Sequence, residues 1–123
     1  MSKDSEAPKA APPWFEHDRV TVTPTHYEIQ ISQPIEKSAD PIEAVRDQEA
    51  GGLPDLVKVR RTMRGRDILC LDRLPPEDRG DHSQNFALAE QLTGVRRSVF
   101  ERMHWDDFFF VYRAVQSVSE GKG

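Results

Sequence analysis

The sequence predicts an α+β fold: a small antiparallel β-hairpin or sheet in the N-terminal half, followed by a compact two- to three-helix C-terminal unit. Three observations predict it. Alternating polar and apolar runs occur only before position 61, sustained helical spacing of apolar residues appears only after position 80, and helix punctuation brackets that second region. At 123 residues, with 31% charged and 37% hydrophobic residues, the chain makes one small domain whose surface is large relative to its core.

Residues 1–13 mix Ser, Ala, Lys and Glu with Pro8, Pro12 and Pro13 and show no periodicity, so a disordered tail is expected, reaching to about residue 18. Trp14 and Phe15 follow, either as a short docking motif or folded back over the edge of the core. Two alternating runs come next, 19–23 with Val20 and Val22 on one side and 26–32 with Tyr27, Ile29 and Ile31 on one side. Pro24 and Thr25 separate them, and Pro34 ends the second run because proline cannot donate to a ladder. A mobile loop is expected over 36–55. Inside it Asp40 as N-cap, Pro41 at the first helical position and Gly51 beyond the end mark a short helix with only Ile42 and Val45 to dock. A third strand over 56–60 turns Val57 and Val59 inward and Lys58 and Arg60 outward.

Four helical segments complete the chain, at about 66–72, 83–93, 96–103 and 105–118, with a flexible tail over 119–123. Ser83 stands where it can cap the second, whose Phe86, Ala89 and Leu92 share a face, and Gly94 can close it in the left-handed conformation. His104 stands at the N-cap of the last, with Asp106 and Asp107 in its first turn at the positive end of the helix dipole. Phe108, Val111, Tyr112, Val115 and Val118 fall on one face of that helix and form its core stripe.

Chemistry-bearing patterns are few. Four scattered histidines and the single cysteine, Cys70 within an apolar run, lack metal-ligand spacing, and one cysteine forms no intramolecular disulfide. There is no nucleophile elbow and no glycine-rich phosphate loop, so a non-enzyme without cofactor is expected. No apolar run approaches a membrane span and no signal-peptide block opens the sequence, which together lead us to expect a cytosolic protein.

Two features remain as candidate binding surfaces. Formal charge is −4, yet residues 57–73 carry six Lys and Arg against two Asp. Lys58, Arg60, Arg61, Arg64 and Arg66 make a basic patch that would suit phosphates, as in a small nucleic-acid-binding or regulatory module, or an acidic protein surface. Against nucleic acid stand the acidic remainder of the chain and the lack of interleaved aromatics. The second feature is Phe108-Phe109-Phe110. Three consecutive aromatics span about 200° of helix circumference, more than one flat contact covers. With Phe108 on the core face beside Val111 and Tyr112, Phe109 or Phe110, together with Trp105, is left at the edge of the domain, where a helical partner or a second copy is expected to meet it.

The ordered set of segments resembles the Mu-like family of tail assembly chaperones of long-tailed phages. The resemblance is carried by Ala87-Leu88-Ala89-Glu90-Gln91-Leu92-Thr93-Gly94-Val95, then Met103, then Trp105-Asp106-Asp107-Phe108-Phe109-Phe110-Val111-Tyr112-Arg113-Ala114-Val115. Upstream, Ile29 to Ile35 looks like the family's first strand with its Pro-Ile end, and Val57 to Arg61 followed by Asp67-Ile68-Leu69 looks like its second. The match covers about 27–118. Residues 36–55 are longer than the family's usual connection, and the proline of its Arg-x-Pro-Thr turn is missing around Arg61-Thr62-Met63. The resemblance implies a non-enzymatic chaperone that binds the helical tape-measure protein, keeps it soluble and helps recruit tail-tube subunits, with Leu92, Trp105, Phe109, Phe110 and Tyr112 expected to face the partner or a second copy. It also implies work in the cytoplasm of the bacterial host and absence from the finished virion.

Overall fold

The computed structural model describes residues 13–121; of the tails expected over 1–18 and 119–123, residues 1–12 and 122–123 lie outside the described residues. Three strands, β1 (Val20–Val22), β2 (His26–Gln30) and β3 (Leu56–Arg60), form an antiparallel sheet in the order β1-β2-β3, with Tyr27 opposite Val22 on one side and Val59 on the other. Five helices accompany it: α1 (Pro41–Glu49), α2 (Gly65–Ile68), α3 (Asp81–Thr93), α4 (Arg97–Glu101) and α5 (Trp105–Ser119). Short 3-10 turns occupy Trp14–Glu16, Leu69–Arg73 and Pro76–Asp78. The architecture is α+β, a sheet in the N-terminal half with helices gathered toward the C-terminus.

Alternation along the strands decides the sheet's inner face. Tyr27, Ile29, Val57 and Val59 are buried, and α3 and α5 pack on this side. Val20 joins them at the edge, whereas Val22 is exposed. The core continues through Leu88, Ala89 and Leu92 of α3, Val99 and Phe100 of α4, and Phe108, Phe110, Val111, Ala114, Val115 and Val118 of α5.

Several helix ends follow the sequence directly. Asp40 accepts the Ile42 N–H at 2.9 Å, His104 Nδ1 accepts the Asp106 N–H at 3.2 Å, and Gly94 closes α3 at φ 76°. The start of α3 differs from expectation. The helix begins at Asp81, and Ser83 is a buried residue inside it whose hydroxyl binds the Asp78 carboxylate, because the preceding 3-10 turn brings Asp78 back over the first turn.

A further departure comes from long-range pairing of charges. Helix α1 docks through its acidic face, not through Ile42 and Val45, which remain exposed. Glu43 accepts from Arg96 and from Ser98 Oγ at 2.9 and 2.7 Å, while Asp47 accepts from Arg96 and Arg102 at 2.7 and 3.2 Å. The segment expected as a mobile loop is thus anchored to α4 and its end. Trp14 and Phe15, expected within a tail, sit on a 3-10 turn, with the Trp14 ring 4.9 Å from Tyr27 and Phe15 exposed.

Candidate protein-docking surface

The geometry of the surface is set by the first turn of α5. Asp107 is fully buried there and accepts four hydrogen bonds, from the Ser32 N–H (2.9 Å), Ser32 Oγ (2.8 Å), the Gln33 N–H (3.0 Å) and Arg19 Nη1 (2.6 Å). Burial opposes ionisation of this carboxyl, but the Ser32 and Gln33 donors and the Arg19 charge outweigh it and hold its pKa below the ordinary value. The helix is thereby pinned in rotation about its own axis. Phe108 turns toward the helices, against Phe86 (5.1 Å) and Phe100 (5.5 Å). Phe110 turns toward the sheet side, beneath the His17 ring (4.8 Å) and the Arg19 guanidinium (4.9 Å).

With both flanks of α5 covered, one stripe stays open. Trp105 is 60% exposed and Phe109 37%, one turn apart, with ring centroids 6.2 Å from each other. They form a ridge between two concavities. On one side lies an apolar pocket of about 310 Å³ walled by Phe86, Phe100, Met103, Trp105, Phe108 and Tyr112. On the other lies a wider groove of about 1300 Å³, whose apolar walls come from Trp14, Phe15, Val22, Tyr27, Phe109 and Phe110 and whose cations are Arg61 and Arg113. A projecting apolar ridge between an apolar pocket and a groove of mixed polarity is the shape that receives an amphipathic helix.

The residues expected at a partner contact therefore separate. Trp105 and Phe109 are exposed and Tyr112 is half-buried at the pocket wall, its hydroxyl accepting from Gln116 Nε2 at 3.0 Å. Leu92 and Phe110 are corrections. Leu92, 3% exposed, faces the core from the inner side of α3, and Phe110, 7% exposed, is closed off by the turn before β1 and by Arg19. The sequence places Phe110 on the flank opposite Phe108, but the covering residues lie some ninety positions upstream and no local pattern announces them.

The basic run also separates. Arg60, expected on the solvent side of its strand, turns back to make two hydrogen bonds to Asp67, at 2.8 and 3.2 Å, and one to the Gln91 carbonyl at 3.2 Å. Asp67 is 1% exposed, and Arg60, the Arg64 N–H and Gln91 lower its pKa against the opposing effect of burial. Arg61 donates to the Thr23 carbonyl at 2.6 Å and lies over the Tyr27 ring at 5.2 Å. Lys58 reaches Glu28 only at 3.9 Å, and Arg64 and Arg66 are exposed. The five cations do not form one continuous free patch.

The buried carboxylates Asp47, Asp67 and Asp107 are the functional supports that sequence reasoning missed. Each is an acidic residue on a helix near apolar positions; the arginine partners of Asp47 and Asp107 are some 50 and 90 positions away, and Arg60, seven positions before Asp67, belongs by strand alternation to the solvent side. Cys70 is buried and unpaired, and burial raises its thiol pKa. Among the described residues no cluster of His, Cys, Asp and Glu could hold a metal ion, and no helix is long and apolar enough to cross a membrane. Comparison with family models, curated proteins and solved structures finds no match to the chain.

Proposed function

We propose that this chain is a non-enzymatic tail assembly chaperone that binds the tape-measure protein of a long-tailed phage, keeps it soluble and helps recruit tail-tube subunits. The observation that carries the reading is the Trp105–Phe109 ridge, two aromatic side chains left open beside an apolar pocket and a wider groove on a helix whose other apolar side chains are buried or half-buried. A long helical client needs its apolar stripe hidden until assembly. A ridge of this size hides a short piece of it with modest affinity, so that many copies act along one client and each is easily displaced. The ordered motifs from Ile29 to Val115 support the same reading. The protein then works in the cytoplasm of the bacterial host and leaves before the virion is complete.

The test is co-expression of the full chain with the tape-measure protein of the same genome, reading the soluble fraction of the client and its co-purification. Wild type is expected to raise the soluble fraction and to be recovered in a complex. The double variant W105A/F109A is expected to lose at least about tenfold in affinity, as removal of central aromatic anchors does. A client equally soluble with and without the chaperone, or a complex indifferent to W105A/F109A in a variant that keeps its fold, would refute the proposal.

A further inference from the structure

We infer that the free protein pairs with a second copy of itself through α5, antiparallel about a two-fold axis, by joining the two Trp105–Phe109 ridges and exchanging an Asp106–Arg113 contact. The outward stripe of α5 runs Trp105, Asp106, Phe109, Arg113. Its two charges lack strong partners. The Arg113 side chain is exposed and makes no hydrogen bond or ion pair among the described residues, and the Asp106 side chain, 66% exposed, meets only His104 at 3.8 Å.

Seven residues separate these charges, about 10 Å of helical rise, so they cannot meet within one helix. An antiparallel second copy centred near Phe110 brings each Asp106 to the other copy's Arg113, twice by symmetry. The same alignment lays each Arg113 beside the other copy's Phe109 ring and opposes the two helix dipoles. Parallel packing would instead set Arg113 against Arg113 and Asp106 against Asp106, so charge selects the antiparallel form.

Size indicates a weak dimer. Aromatic side chains bury about 150–250 Å² each when covered, so the open fractions of four rings supply on the order of 400 Å². That is roughly a third of the ~1,200 Å² at which stable interfaces begin. Association is therefore concentration-dependent and gives way to a client on the same surface, which makes the dimer a storage form of the unloaded chaperone.

Sedimentation equilibrium of the full chain from about 10 μM to about 1 mM, where weak interfaces dissociate, tests this. The average mass is expected to rise from 14.1 kDa toward twice that value. W105A/F109A, R113D and D106R are each expected to weaken association about tenfold, and the charge-swapped double variant D106R/R113D to restore most of it. Far-UV circular dichroism and urea midpoints confirm that each variant is folded. A monomer at every concentration, a dimer indifferent to all the variants, or a charge swap that fails to recover association would overturn the inference. The assay contains no client, so its outcome is separate from that of the co-expression test. A monomer that still solubilises the tape-measure protein removes the dimer alone, and a dimer that does not solubilise it removes the chaperone reading alone.

Discussion

Replacing Asp107 with alanine tests the proposition that one buried carboxylate positions the whole docking surface. The side chain is fully buried and its two oxygens accept two backbone N–H groups, one hydroxyl and one guanidinium. Breaking a buried charge pair by removing one partner costs about 3–5 kcal/mol. Ser32 and Gln33 are themselves solvent-exposed residues, so water entering the vacated space offsets part of that loss. The expected cost is then about 2–4 kcal/mol, a large share of the roughly 5–15 kcal/mol that holds a small domain. An aspartate acting only on the helix dipole would contribute about 0.3–1 kcal/mol. The neighbouring Asp106, 66% exposed, supplies that control in the same helical turn.

Urea unfolding at neutral pH separates the two. With a urea m-value of about 1–3 kcal/mol/M, D107A should lower the midpoint by at least about 0.7 M without altering the slope, and D106A should lower it far less. The pH dependence has a defined sign. The folded pKa of Asp107 lies below its unfolded value, so its stabilisation is complete above about pH 3.9 and lost as pH falls through the folded value. D107N should therefore show a shallower acid limb than wild type, with Asp67, Asp47, Glu43 and Asp78, whose pKa values are also lowered by their partners, supplying the remaining slope. A D107A protein within 1 kcal/mol of wild type, or a D106A protein equally destabilised, would refute the argument.

Three further outcomes are expected. R60A should destabilise by about 3 kcal/mol because it strands Asp67 in the interior, whereas R66A should stay within about 0.5 kcal/mol, both read by urea denaturation. F110A should cost about 3–5 kcal/mol in the same experiment and F109A much less, since the first ring is 7% exposed and the second 37%. The paired variant E43Q/D47N should accelerate amide exchange throughout α1 while leaving α5 protected, because α1 is held by Arg96, Ser98 and Arg102 and not by its apolar side chains. Uniform acceleration in both helices would show that α1 is instead part of the cooperative core.

Much of the fold was legible because its signals are local. Strand alternation around Tyr27 and Val57, the caps at Asp40 and His104, and the left-handed Gly94 each depend on residues a few positions apart, and elementary sterics and hydrogen bonding decide them. The exposure of part of the Phe108-Phe109-Phe110 triplet was likewise a consequence of helical angle alone. Which ring stays open was not. That choice depends on where the helix is clamped in rotation, and the clamp consists of Asp107 with Arg19, Ser32 and Gln33, some 75–90 positions upstream. Arg96 and Arg102, some 50 positions downstream, likewise reverse the expected inner face of α1, while Arg60 leaves the surface for Asp67 only because the chain folds back between them within seven positions. The sequence by itself therefore determined the elements, their order and the α+β class. Only the tertiary structure decided which charges are internal and which aromatics of α5, Trp105 and Phe109, stay exposed, because charge pairing and ring burial depend on contacts that folding alone makes.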